Sequence, residues 1–373
     1  MIIRATTTPG LEDVARVEGE RLIRESGLSL ESGVSHEASE PFAMPGVVAW
    51  TLAARHLFSD VRDRSPLAGA RSLYHVAVHV AELAWDGRTL DSLAAAIAEV
   101  DLDEMRGTAS FRVSCSRVGD HDFHSPEVER EAGSILQARY GTDVDLERYT
   151  LHVKIDIVGR RAFAGYQLTG RKGLDRRHRW VYHPRVTLRT PIAYGMLVLC
   201  GYADQPGALH DPFCGSGTIL LEAAGVSRDR LEDCPTLSGS DWDARAVSGA
   251  RANLGEAGLD AIPISRHDAQ DLCEFLEPGS LDYIVTNPPF GIRIGRGANL
   301  LSMYRDFLAG SAAVLRPGGR LAMLVARRRG AFNKVLATFP EFTIDHVRVV
   351  EMGGVYAGLF VLRRNIDPPF DVE

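Results

Sequence analysis

The stretch Asp211-Pro-Phe-Cys-Gly-Ser-Gly-Thr218 narrows what this chain can fold into more than any other. It follows an approach with strand potential, Gly207-Ala208-Leu209-His210, and runs into the apolar, alanine-rich segment from Ile219 to Gly225, which reads as the first turns of a helix. A glycine turn between strand and helix suits a cofactor: Gly215 and Gly217 let the backbone turn tightly and approach a ligand, and the helix start offers unpaired N–H groups. A dinucleotide fingerprint needs a third glycine where Leu220 stands, and a P-loop needs a lysine that this stretch lacks. What remains fits a cofactor without a pyrophosphate, and the leading Asp211 points to one that is positively charged. S-adenosylmethionine carries positive charge on its α-amine and on its sulfonium.

A second stretch strengthens that reading. The apolar run Leu281-Asp-Tyr-Ile-Val-Thr286 has the composition of a buried parallel strand, and Asn287-Pro288-Pro289-Phe290-Gly291 follows it. Two prolines cannot continue a central strand, so the chain leaves the sheet in a fixed shape. That shape offers the Asn287 amide oxygen and the Pro288 carbonyl as neighbouring acceptors with the Phe290 ring beside them. Two acceptors and an aromatic plate suit a flat base carrying an exocyclic amine. The competing reading is a rigid Pro-Pro turn with no chemistry.

At 373 residues the chain has room for two domains with separate cores. No apolar run reaches membrane-span length and the first residues lack a signal-peptide core, so a cytoplasmic, non-membrane protein is expected. The five cysteines are scattered and never form a Cys-x-x-Cys pair, which favours reduced thiols and speaks against a structural zinc. Cys214 reads as a small packing residue. The net charge of −7 is unevenly spread: Lys154 to Arg189 holds ten basic residues against two acids, a local balance of +8 that leaves −15 elsewhere. Such a belt is either a solvated charge run or a docking face for a polyanion, and the interleaved Trp180, Tyr182 and His183 favour the second.

Read in order, the N-terminal half alternates in α+β fashion. A strand over Ile2–Thr6 leads to a helix with Thr8 as its expected cap; a loop covers 31–45; strands follow at 46–52 and 74–80, a helix at 90–97 and a strand at 109–114. Ser125-Pro126-Glu127 predicts a helix capped by Ser125 and stopped by Gly141. Leu151, Val153, Ile155 and Ile157 alternate with His152, Lys154, Asp156 and Val158, predicting a strand with one buried face, paired with 162–169 through Gly159-Arg-Arg. A bridging helix at 188–200 opens a regular β/α alternation: strand 208–211, helix 217–225, strand 236–241, helix 243–257, strands 262–266 and 281–286, helix 301–315, strand 319–326, and a final pair at 342–350 and 355–363. That order implies a parallel sheet with helices on both faces and a ligand at the strand carboxyl ends.

These residues together resemble the THUMP-type tRNA guanosine-N2-methyltransferases over nearly the whole chain. The most specific segments are Thr7-Thr-Pro-Gly-Leu-Glu-Asp13, 112–141, 211–222, 287–297 and Val350-Glu-Met-Gly-Gly-Val-Tyr356. The resemblance implies an α+β RNA-binding region joined to an α/β Rossmann-like class I methyltransferase domain. Its expected parts are a ferredoxin-like segment 1–64, a THUMP domain 65–170, a basic linker 171–187 and a catalytic domain 188–373. Within that group, the Gly-Ser-Gly-Thr loop and Asn287-Pro-Pro-Phe-Gly291 followed by Arg293-Ile-Gly-Arg296 resemble the enzymes acting at nucleotide 6 of the acceptor stem more than those acting at nucleotide 10. Carried over by motif, S-adenosylmethionine is expected on Asp211, Phe213, Gly215, Ser216, Gly217, Thr218, Asp241, Trp242, Asp268, Ala269 and Asn287. Asp241 would take the ribose hydroxyls, unless it only caps the following helix, and Asp268 would lie near the adenine amine.

Asn287, Pro288 and Phe290 are the expected catalytic set, and Lys154, Arg171, Lys172, Arg176, Arg177 and Arg179 the expected tRNA contacts. No metal is expected, nothing in the sequence requires a protein partner, and the chain is expected to be a monomer. The chain departs from the family at Arg176-Arg-His-Arg-Trp180, where Gly-Tyr-Arg usually follows the two arginines. Three alternatives stand beside this reading: a ribosomal-RNA guanine methyltransferase, an adenine-N6 DNA methyltransferase, and a tRNA-binding module without activity.

Overall fold

The computed structural model describes residues 2–30, 44–52, 66–170, 172–184, 187–228, 236–289, 300–326 and 329–366. It divides into two compact units, Met1–Asp175 and Arg176–Glu373. The loop expected at 31–45 falls almost entirely outside the described residues.

The first unit is one seven-stranded sheet with helices on one face. Its strands are β1 (Ile2–Thr7), β2 (Val47–Thr51), β3 (Leu73–Glu82), β4 (Ser110–Val118), β5 (Asp143–Val144), β6 (Leu151–Val158) and β7 (Arg161–Gln167), in the order β2-β1-β3-β7-β6-β4-β5. The helices α1 (Glu12–Glu25), α2 (Leu90–Glu99) and α3 (Ser125–Tyr140) bury their apolar stripes against Ile3, Val78, Phe111, Val113, Val153 and Ile155.

Two expected caps are displaced. The Thr8 hydroxyl pairs with Tyr74 Oη at 2.8 Å, and α1 starts later, where the Glu12 carboxylate accepts from the N–H groups of Gly10 and Gly46. Ser125 is already inside α3, and the Glu127 carboxylate accepts from His124 N–H at 2.7 Å, so the cap lies one residue earlier.

The one-faced reading of β6 is also corrected, because His152, Lys154 and Asp156 are buried along with the apolar residues. Asp156 lies 2.7 Å from His79 Nε2 and 3.3 Å from the Arg4 guanidinium, with Lys154 Nζ at 3.7 Å. His79 stacks on Phe163. A polar residue on a strand therefore marks the second face without exposing it, since charge pairing can bury that face as well.

The second unit holds β8 (Leu209–Asp211), β9 (Leu237–Ser240), β10 (Ile264–Ser265), β11 (Leu281–Thr286), β12 (Leu315–Val325), β13 (Phe342–Glu351) and β14 (Tyr356–Arg364), ordered β10-β9-β8-β11-β12-β14-β13. The strands β8 to β12 pair in parallel, and the closing hairpin adds β14 antiparallel to β12. Its helices are α4 (Thr190–Leu199), α5 (Thr218–Arg228), α6 (Ala244–Glu256), α7 (Leu300–Val314) and α8 (Arg329–Leu336). Ile284, Leu321, Met323, Phe360 and Leu362 form one core with Tyr304, Phe307 and Phe332 from α7 and α8. Strand order reverses at β8, between β9 and β11, and this is the crevice where parallel α/β sheets hold ligands.

The buried ion cluster gives a stability prediction. Burial pushes the Asp156 carboxyl up, but the His79 hydrogen bond and the Arg4 and Lys154 charges outweigh it and hold the group at about 2. Because the folded value lies below the ordinary one, the stabilisation is present above the ordinary carboxylate range and is lost as pH falls through about 2. Asp156→Asn should cost about 3 kcal/mol at pH 7, since it leaves buried cations uncompensated. Thermal unfolding at pH 7 and near pH 2 should show that deficit shrinking in acid; a constant deficit would mean the charge is not what Asp156 contributes.

Candidate active site

Both motifs lie at the carboxyl edge of the central strands. β8 and β11 pair in parallel with Ile284 opposite His210, so the loops leaving Asp211 and Thr286 emerge side by side. Thr286 Oγ1 donates to Asp211 Oδ1 at 2.7 Å and Phe213 N–H donates to the same oxygen at 3.2 Å. The loop then folds over the end of β9: Cys214 N–H donates to the Ser240 carbonyl and Gly215 N–H to Asp241 Oδ2, both at 3.0 Å. Gly215 at φ 53° and Gly217 at φ 82° occupy the left-handed region, which side chains with a Cβ rarely adopt. Ser216 Oγ and Thr218 Oγ1 are 3.2 Å apart and buried, and Phe213 packs edge-on against Phe307. Cys214 is buried as a packing residue, and burial, followed by the Asp211 and Asp241 charges, pushes its thiol well up.

Asp241 is not the cap of α6. Asp243 performs that role by accepting from Arg245 N–H at 2.9 Å, while Asp241 Oδ1 accepts from Asp243 N–H. The Asp241 carboxylate is thereby aimed back at the glycine loop. Asp268 caps the 3₁₀ turn Ala269–Glu274 through Gln270 N–H at 3.0 Å; it is exposed, whereas Ala269 is buried. Trp242 is 61% exposed beside Asp241. At the end of β11, Asn287 Oδ1 is buried without a hydrogen-bond partner among the described residues. An orphaned buried acceptor costs about 1–3 kcal/mol, and a site that binds an amine donor satisfies it. Phe290 lies outside the described residues.

The electrostatics suit a cationic ligand. Burial pushes the Asp211 carboxyl up to about 7, opposed by the Thr286 and Phe213 hydrogen bonds and reinforced by the Asp241 charge. Asp241 is raised as well, chiefly by burial. Neither carboxylate forms an ion pair among the described residues, so a positive charge delivered by a ligand would favour both ionised forms. His210, beneath the loop, is held down at about 4 by burial and is neutral between Ser238 Oγ and Ser240 Oγ. These donors and acceptors fit S-adenosylmethionine: Asp211 for its cationic part, Asp241 for ribose hydroxyls, and the glycine loop for close backbone contact.

The basic belt does not stand as one surface. Lys154 is buried in the first unit, donating to Ser116 Oγ at 2.5 Å. Arg177 grips both oxygens of the buried Glu222 at 2.9 Å. Lys172, Arg176 and Arg179 are exposed, Arg179 lying 3.3 Å from Glu256, and Arg171 is outside the described residues. Thr286 is the site residue that motif reading passed over. Its signal was a lone hydroxyl closing an apolar run.

No helix among the described residues is long and apolar enough to cross a membrane, and no group of three or more metal-ligating side chains occurs among them. Fold and site define a class I S-adenosylmethionine-dependent methyltransferase unit preceded by a separate α+β unit. Family models agree: an RMKL-like methyltransferase domain matches residues 176–357 and a THUMP domain matches 87–164. A tRNA (guanine(6)-N2)-methyltransferase of Thermus thermophilus is 37% identical over 98% of this chain and 100% of that protein. One from Archaeoglobus fulgidus is 29% identical over 96% of this chain and 91% of its own length. The crystal structure of TrmN from Thermus thermophilus matches with a TM-score of 0.77 at 35% identity, covering 97% of this chain and 99% of that one. The chain belongs to the THUMP-containing tRNA guanine-N2-methyltransferase family.

A trade-off between stability and binding follows from Asp211. Its raised value means the folded chain keeps a proton between about pH 4 and pH 7 that the unfolded chain has lost, so stability falls as pH rises through that window. Asp211→Asn keeps the acceptor for Thr286 but removes the buried charge. It should raise the melting temperature at pH 8 and leave it unchanged near pH 4, while weakening S-adenosylhomocysteine binding at least about tenfold. Paired melting curves and calorimetry check both halves.

Proposed function

We propose that this protein transfers a methyl group from S-adenosylmethionine to the exocyclic N2 amine of guanosine 6 in the acceptor stem of tRNA. The observation that carries it is the buried Asn287 Oδ1, without a hydrogen-bond partner among the described residues, at the carboxyl end of β11 and next to the glycine loop, in a chain of this family. The relatives matched over nearly their full length are named for guanine 6. A Methanothermobacter thermautotrophicus relative named for guanine 10 is 31% identical over 54% of this chain.

The sulfonium cofactor supplies an electrophilic methyl group; the remaining requirements fall on this chain. Asn287 Oδ1 and the Pro288 carbonyl accept from the N2 amine, which turns its lone pair out of the ring and toward the donor. Phe290 is assigned to stack on the guanine. After transfer the nitrogen carries an acidic proton that passes to water, so no dedicated base is needed. A guanine paired in a stem must leave the stack to reach this edge, and the unstacking costs a few kcal/mol. Binding through the first unit and through the exposed Lys172, Arg176 and Arg179 offsets that cost by phosphate contacts that set distance more than sequence. The chain acts as a monomer in this reading.

The role of Asn287 is separable from cofactor binding. Asn287→Ala should lower the transfer rate by at least about a thousandfold, an effect comparable to losing a donor or acceptor aimed at the reacting group, while calorimetric affinity for S-adenosylhomocysteine stays within about threefold. A variant that loses cofactor affinity equally would place Asn287 in the cofactor site alone. A tRNA transcript with the pair at position 6 changed from guanosine to adenosine should accept no methyl group from the wild-type enzyme.

A further inference from the structure

The second unit begins with a segment that touches both helices flanking the glycine loop. Arg177 Nη1 donates to both oxygens of Glu222, and His178 Nε2 lies 2.7 Å from Oε1 of the same carboxylate. Glu222 is fully buried on α5, the helix that leaves the loop. Burial pushes its carboxyl up, but the His178 hydrogen bond and the Arg177 charge prevail and hold it below its ordinary value. Farther on, the segment reaches α6. Tyr182 occupies a notch at Gly249, where an added Cβ would stand 2.1 Å from the ring.

One turn later on α6, Asn253 is 1% exposed and uses its whole amide. Oδ1 accepts from Val181 N–H at 2.9 Å and from Tyr182 N–H at 2.8 Å; Nδ2 donates to the Tyr182 carbonyl at 2.8 Å and to the Ser216 carbonyl at 2.9 Å. Two donors and two lone pairs exhaust what an asparagine side chain offers. Three of those bonds go to the segment and one to the residue between Gly215 and Gly217. Two glycines at positive φ give that loop many conformations, so a fixed carbonyl between them removes much of its freedom.

We infer that residues 177–182 are a strap that holds the cofactor loop in its binding shape, with Asn253 as the positioning residue that carries the strap's hold to the Ser216 carbonyl. The strap contributes no residue to the loop itself. It acts by preorganisation, lowering the ordering cost of cofactor binding. The inference rests on the glycine loop being the S-adenosylmethionine site, and it concerns cofactor affinity, not the choice of nucleotide.

Three full-length variants test it: Asn253→Ala, which removes all four bonds; Asn253→Asp, which keeps acceptors for Val181 and Tyr182 but cannot donate to Ser216; and Gly249→Ala, which displaces Tyr182 while favouring the helix intrinsically. Each should raise the dissociation constant for S-adenosylhomocysteine by about tenfold and raise KM for S-adenosylmethionine in step. The kcat at saturating cofactor and saturating tRNA should stay within about threefold. Unchanged cofactor affinity in folded Asn253→Ala or Gly249→Ala protein overturns the inference. A parallel loss of cofactor affinity and of that kcat also overturns it, since that is what general destabilisation does. If Asn253→Ala does not fold, Gly249→Ala decides alone. Wild-type protein that binds the cofactor but methylates no tRNA would sink the functional proposal and leave this test intact.

Discussion

The hydrogen bond from Thr286 Oγ1 to Asp211 Oδ1 ties together the two loops on which the site depends. It forms because β8 and β11 are adjacent parallel strands, each ending at the same edge of the sheet. Parallel pairing at a point of reversed strand order forces consecutive loops apart and leaves a crevice between them. The glycine loop closes one side of that crevice and the Asn287-Pro288-Pro289 turn the other. A sheet that separated β8 from β11 would carry the same residues and leave Thr286 and Asn287 away from Asp211 and the glycine loop.

Charge is handled in opposite ways in the two units. In the first, Asp156 is buried among Arg4, His79 and Lys154, so the buried carboxylate has cationic partners within the fold and serves it. In the second, Asp211 and Asp241 are buried near each other and both are pushed up, which destabilises the chain by itself and suits a cationic ligand. A stabilising site would have had a lysine or arginine there. Local strain of this kind is expected where binding, not folding, selects the residues.

Much of this was legible in the sequence, because the informative signals were local. The β/α alternation, the strand 281–286, the Pro-Pro exit from it and the terminal hairpin depend on periodicity and on residues that cannot continue a strand. The misread features depend on partners distant in sequence. Thr8 looked like a cap, but Tyr74 takes its hydroxyl. Lys154 and Arg177 count toward a basic surface in the sequence, but Asp156 and Ser116 hold Lys154 inside and the buried Glu222 engages Arg177. A charge tally cannot tell a displayed cation from a paired one, because pairing is decided by folding. Asn253 left no signal at all: an asparagine within a helix is unremarkable until its four partners are placed around it.

The most direct measurement of the central claim is to incubate the protein with labelled S-adenosylmethionine and unmodified tRNA transcripts, digest the RNA, and map the labelled nucleoside. The account predicts label in N2-methylguanosine, at position 6 of the acceptor stem. Label at position 10, in an adenosine, or only in ribosomal RNA would contradict it.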